Sequence, residues 1–96
     1  MIYGIEGAAA LNADIVINVE TEQSHVSYIC RLDPTKAKHG PTDPPIEEQK
    51  VWAIIFYEQI QEENGIIRLN TKYPEGSTAY NFQVSNYNNY NYKFRL

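Results

Sequence analysis

One dipeptide limits the fold more than any other feature. Asn64-Gly65 stands between two strand-like runs, "VWAIIFYEQI" (Val51–Ile60) and "IIRLNTKY" (Ile66–Tyr73). Asn-Gly is the strongest short signal for a β-hairpin, because both residues tolerate the positive φ of a type I′ turn. A two-residue turn sets Glu63 opposite Ile66, Ile60 opposite Leu69 and Phe56 opposite Tyr73. Trp52, Ile54, Phe56, Ile60, Ile67 and Leu69 then share one face, so hydrophobic pattern and turn agree. Val51, Ala53, Ile55, Tyr57 and Ile66 lie on the other face. A strand apolar on both sides belongs in the middle of a sheet or under a second layer.

Upstream, "DIVINVE" (Asp14–Glu20) is β-branched and apolar, and "HVSYICRL" (His25–Leu32) alternates. Val26, Tyr28, Cys30 and Leu32 share one face; Ser27, Ile29 and Arg31 share the other. "TEQS" between the two runs is a hairpin connection. Then "DPTKAKHGPTDPPIEEQK" (Asp33–Lys50) holds four of the five prolines, which excludes a long regular element. It is expected to be a surface loop able to carry a contact through residues such as His39 and Pro41.

The last pair of strands is expected in "STAYNFQVSN" and "YNYKFRL". A three-residue loop, Tyr87-Asn88-Asn89, pairs Val84 with Tyr92, Phe82 with Phe94 and Tyr80 with Leu96, and keeps one face apolar. The sum is an all-β domain: a small antiparallel β-sandwich or flattened barrel of about six strands with one long Pro-rich loop. Residues 1–14 are expected to form an N-terminal arm, and residues 15–96 a single β domain. A chain of 96 residues fits one domain.

The composition narrows the function. Net charge is −4 and no basic cluster occurs, which argues against nucleic acid as a partner. No apolar run is long enough to span a membrane as a helix. The first 14 residues lack a basic segment and carry Glu6, unlike a secretory leader. A single cysteine, Cys30, excludes an intrachain disulfide, and no metal-ligand spacing occurs, so no cofactor is expected. His25 and His39 are the only histidines. A His–Cys30 nucleophile pair and a carboxylate pair among Glu47, Glu48, Glu58, Glu62 and Glu63 are conceivable. A mid-strand cysteine is more commonly structural, and the turn glutamates sit where solvated charge belongs. The expectation is therefore a non-enzymatic binding protein. Eight tyrosines, against three Phe and one Trp, suit strands and amphipathic contact surfaces. Candidate partner contacts are Tyr87, Asn88 and Asn89 at the loop tip, Asn91, Lys93 and Arg95 on the outer face of the last strand, and His39 and Pro41. The C-terminal strand is also expected to leave an edge that another subunit can pair with.

Several short segments resemble a loose group of small tailed-phage proteins, uncharacterised or assigned to the virion. Those carry Y-x-G-x-A-x-P, then V-W-x-I, then Y-P-x-G-S-T-x-Y-N-F-I-W-D-D-R, then Y-x-Y. Tyr28 and Pro34 match the first segment and Val51, Trp52 and Ile54 the second. Tyr73, Pro74, Gly76, Ser77, Thr78, Tyr80, Asn81 and Phe82 match the third, and Tyr90 and Tyr92 the last. The chain departs at Cys30, at Val84 in place of tryptophan, and at Ser85-Asn86-Tyr87 in place of D-D-R. The resemblance implies a structural component of a bacteriophage virion, made in the host cytoplasm: a decoration, connector, neck or fibre-base protein. Its partners would be copies of itself, as a homo-oligomer, and other virion proteins. Two other classes fit the composition: a carbohydrate-binding module stacking loop tyrosines on a glycan, and a small phage inhibitor of a host defence protein.

Overall fold

The computed structural model describes residues 13–96, and the expected arm falls almost wholly outside them. Five strands form one antiparallel sheet in chain order: β1 (Ile15–Glu20), β2 (Ser24–Leu32), β3 (Trp52–Gln61), β4 (Ile67–Pro74) and β5 (Tyr92–Lys93). The described part is elongated, 54 × 25 × 21 Å. The all-β class and the central place of the Trp52 strand are as expected. A second sheet is not among the described residues; one face of the sheet is covered instead by loop and 3-10 segments.

The β1–β2 hairpin pairs Glu20 with His25 and Ile15 with Cys30. Its tip is held by side chains, with Ser24 donating its amide to Thr21 Oγ1 (3.1 Å) and the two hydroxyls 2.7 Å apart. Asp14, assigned to the arm, extends the ladder: its amide donates to Cys30 O and its carboxylate accepts from the Leu32 amide at 2.8 Å.

The β3–β4 hairpin forms, but in a register one residue from the expected one. Phe56 pairs with Lys72, Ile60 with Arg68 and Gln61 with Ile67. The loop has three residues, Glu63-Asn64-Gly65. Gly65 donates its amide to Glu62 O (3.1 Å), Glu62 donates to Ile66 O (2.8 Å), and Gly65 alone has positive φ, +83°. This is a type I turn followed by a glycine bulge. Asn64 does not need a left-handed backbone, because its side-chain oxygen accepts the Ile66 amide at 3.1 Å. A shift of one residue moves a whole strand's side chains to the other face. Ile67 and Leu69 therefore join Ile55, Tyr57 and Gln59, and leave the face of Trp52, Ile54 and Phe56.

That Trp52 face carries the core. Cys30, Val51, Trp52, Ile54 and Val84 are buried, with Tyr28, Leu32, Ala37, Ile46, Phe82, Tyr87, Tyr90 and Tyr92 packed on them. The Pro-rich loop is part of this cover. The Gln49 amide spans it, accepting from the Lys38 amide (2.9 Å) and donating to Lys38 O and Pro44 O (both 2.8 Å). Trp52 Nε1 donates to Ile46 O at 2.9 Å, and Lys36 Nζ donates to Tyr80 O and Asn81 Oδ1. Backbone groups that no strand ladder can satisfy are thus satisfied by side chains.

The C-terminal region departs most from expectation. Phe82 does not pair with Phe94. It exchanges two backbone hydrogen bonds with Trp52 (3.1 and 3.0 Å), beside β3 and beyond the end of its pairing with β4. Val84–Asn89 forms two short 3-10 turns meeting at Asn86, not a strand with a loop tip. β5 is two residues long and pairs with Tyr73 and Pro74. The intervening turn places Glu75 at φ +52° and Gly76 at φ +72°. A Cβ on Gly76 would lie 2.8 Å from Leu96 Cγ and 3.0 Å from Phe94 O, so only glycine fits.

Candidate interaction surface

The chemistry-bearing residues do not converge. His25 and Cys30 lie five positions apart on one strand and so project from opposite faces of the sheet. His25 contacts Glu20 (3.1 Å) and Ser27 (3.2 Å). Cys30 is fully buried, and burial pushes its thiol up to about 12, where thiolate is negligible at neutral pH. Of the carboxylates weighed as a pair, Glu58 holds Asn70 Nδ2 (3.1 Å) and Glu62 holds Arg68 (3.5 Å). Asp33 instead shapes the start of the Pro-rich loop. It accepts the Thr35 hydroxyl at 2.7 Å, which holds its carboxyl below the usual range. Among the described residues no cluster of three His, Cys, Asp or Glu side chains could hold a metal, and no helix is long and apolar enough to cross a membrane.

The tyrosines are spent largely on packing. Tyr87, expected at a loop tip, is half-buried with its ring 4.9 Å from Tyr28 in an edge-on contact, and its carbonyl accepts the Tyr92 hydroxyl. Tyr92 stacks on Phe56 at 5.2 Å, and Tyr90 meets Phe82 edge-on at 5.1 Å while its hydroxyl accepts the Gln83 amide. Burial pushes the Tyr92 and Tyr28 phenols up, with neighbouring phenols adding to it.

The other candidates are exposed but scattered. Asn88 and Asn89 end the 3-10 segment, and His39 and Pro41 lie on the Pro-rich loop. Asn91 and Lys93 gather around Glu75: the Glu75 amide donates to Asn91 O (2.8 Å), and Lys93 Nζ lies 3.8 Å from its carboxylate. Arg95 is exposed nearby in sequence. No hydrogen bond or ion pair among the described residues joins His39 or Pro41 to this C-terminal set. Phe94, expected to face inward, is exposed, with Lys72 Nζ 5.3 Å from its ring centre.

Another set of exposed apolar side chains lies elsewhere. Ile66, Ile67 and Leu69 are 59%, 51% and 53% exposed at the distal end of the β3–β4 hairpin. They adjoin a free sheet edge. Since Glu62 and Ile66 close the hairpin, Ile66, Arg68, Asn70 and Lys72 turn their backbone groups toward β3. Ile67, Leu69 and Thr71 turn theirs outward. β5 covers only Tyr73 and Pro74, and the tail then folds back, with the Leu96 amide on Gly76 O. An open edge thus lies along β4, while the short C-terminal strand β5 and the strand β1 form the two ends of the sheet. The signal for it was present in the adjacent pair Ile66-Ile67, which cannot both face a core from one strand.

No family model matches the chain, and neither the curated proteins nor the solved structures contain a match to it.

Proposed function

We propose that the chain is a non-enzymatic structural component of a bacteriophage virion that acts by β-mediated assembly. The observation that carries the assembly reading is the open β4 edge with Ile66, Ile67 and Leu69 beside it. Unpaired strand edges flanked by apolar side chains pair with other chains unless they are covered, twisted away or charged. Here none of the three residues whose backbone groups point outward is charged.

The phage assignment rests on the sequence resemblance, and the positions that carry it form one packing unit. Trp52 of the V-W-x-I segment bridges Phe82 of the Y-N-F segment. Tyr73 and Pro74 pair with β5, which holds Tyr92, and Tyr90 packs on Phe82. A motif that folds into a single unit supports a shared architecture. The sandwich expected from the strand pattern would arise between subunits, where the uncovered part of one sheet meets a second layer. Mass spectrometry of purified particles from cells producing the phage tests the assignment. The protein is expected at a stoichiometric level alongside the other virion proteins; its absence from clean particles overturns the reading.

A further inference from the structure

We infer that Asn64-Gly65 is a self-modifying site. In the folded protein, local opening of the β3–β4 hairpin tip lets Asn64 lose ammonia to the Gly65 amide, and the isoaspartate that results dismantles the turn. This goes beyond the assembly reading and needs no partner.

The sequence singles out the position. The chain has nine asparagines, and only Asn64 is followed by glycine. The reaction is attack of the next residue's backbone nitrogen on the side-chain amide carbon. A glycine nitrogen has no Cβ beside it to shield it, and glycine backbone rotates most freely into the geometry of attack. The Gly65 nitrogen gives up its proton to water and bonds to Asn64 Cγ; the Cγ–Nδ2 bond breaks and ammonia leaves. Water then opens the five-membered imide. Opening at the former side-chain carbonyl gives aspartate. Opening at the former main-chain carbonyl gives isoaspartate, with the chain rerouted through Cγ. One water is consumed and one ammonia released, and no other reactant is needed.

The folded hairpin restrains this chemistry without excluding it. The Gly65 N–H that must lose its proton is held on Glu62 O at 3.1 Å, and Asn64 Oδ1 accepts the Ile66 amide at 3.1 Å. Both groups are thereby fixed outside the reacting geometry while the turn is closed. Little keeps it closed. Glu63, Asn64 and Gly65 are all exposed, and a Cβ built on Gly65 would meet no atom within 4 Å. Ile66, Ile67 and Leu69 already stand half in water, so parting of the tip exposes little new apolar surface. The Glu62–Arg68 ion pair at 3.5 Å is exposed and adds little. Opening of the tip is therefore local, and costs less than unfolding the Trp52 end.

Conversion acts on the turn that sets the register. Isoaspartate lengthens the main chain of the loop by one atom. The Gly65 amide then no longer meets Glu62 O as the type I turn requires, and the acceptor of the Ile66 amide is drawn into the backbone. A further negative charge joins Glu62 and Glu63 at the tip. The end of the hairpin frays toward Arg68, while the buried end of β3 keeps its structure.

The test incubates the purified chain at neutral pH, in buffer and in concentrated urea, with digestion and mass spectrometry at intervals. The small mass gain of amide-to-acid conversion is expected in the peptide carrying Asn64, mostly as isoaspartate. Its rate in buffer is expected to be roughly ten- to a hundredfold below that in urea, the factor by which the closed turn outweighs the open one. Asn64→Gln, which could cyclise only through a six-membered imide, is expected to stay unconverted. Gln49→Ala separates local from global opening: it lowers stability but touches nothing at the tip, so the rate in buffer should not change. Hydrogen exchange of the aged protein should be faster at Gly65, Ile66 and Arg68 and unaltered at Ile54. Three results each overturn the proposal: no conversion in buffer once the urea sample is complete, a rate that rises in Gln49→Ala in step with lost stability, or aged protein that exchanges like fresh protein at the tip. All of these readouts are internal to the chain, so they stand or fall apart from particle proteomics.

Discussion

The two ends of β3 live in different surroundings. At Val51–Ile54 every side chain is buried, and Val51, Trp52 and Ile54 lie under the Pro-rich loop, the 3-10 segment and an aromatic cluster. At Ile60–Gln61 the same strand runs out beside a hairpin whose apolar residues stand half in water. The difference teaches that one sheet divides its labour along its length: the Trp52 end supplies stability and the Leu69 end offers surface. Substitutions should separate the two, with large folding effects at the first end and small ones at the second.

The largest effect is expected at Trp52. Trp52→Ala empties the centre of the cover and removes the indole bond to Ile46 O, while the backbone bridge to Phe82 is kept. A loss of about 3–5 kcal/mol is expected, enough to unfold a marginal small domain in urea titration at neutral pH. Next comes alkaline pH. Cys30 has an ordinary value of 9.0, and burial raises it to about 12 in the folded chain. The unfolded chain therefore loses this proton first, so the native state keeps its full stability below pH 9 and loses it as pH rises toward 12. Each pH unit inside that window costs about a factor of ten in the folding constant. Urea midpoints are expected to fall across it, with Tyr28 and Tyr92 adding their share at its upper part. Cys30→Ala should start lower and decline less steeply; an unchanged slope would contradict the burial account.

A smaller effect is expected from the loop clamp. Gln49→Ala removes the three hydrogen bonds to Lys38 and Pro44 and should cost about 1–2 kcal/mol. Hydrogen exchange should show the added opening confined to residues 33–50, with β3 protected until global unfolding. The smallest folding effect is expected at the other end. Leu69→Ser, measured dilute enough to keep the chain monomeric, should shift the urea midpoint by under about 0.5 kcal/mol. A loss as large as that at Trp52 would mean that the two ends form one core after all.

The same contrast marks where the sequence is legible. Alternation in "HVSYICRL" gives the correct faces of β2, because strict period-2 patterning leaves little freedom. The apolar run at Val51–Ile55 correctly marks a central strand. The β3–β4 register is missed because, in this turn, only Gly65 takes the positive φ while the Asn64 side chain accepts the Ile66 amide. Nothing in the dipeptide tells that arrangement from a two-residue turn. The preference for a uniform apolar face then selected the wrong one, since exposure of Ile67 and Leu69 is a cost that this chain carries. At the C-terminus, alternation at Tyr80, Phe82 and Val84 suggests a local hairpin. The actual partners are far away in sequence: Trp52 for Phe82, and Tyr73 and Pro74 for β5. Gln83 and Asn86, linked side chain to side chain, favour 3-10 turns over a strand there. Of the contact candidates, the exposed asparagines could be read from turn chemistry, whereas the burial of Tyr87 depends on Tyr28, more than fifty residues upstream.

Strand order equal to chain order has a kinetic consequence. The β1–β2 and β3–β4 hairpins need only short loops and can form within microseconds of collapse. The core cannot, because it waits for residues 33–51 to close and for Phe82 to reach Trp52. The β4 edge is therefore presented early, on a hairpin that exists before the cover does. On the assembly reading proposed above, a partner strand would meet it while Trp52 is still in water, and association and folding would be coupled in time as well as in energy.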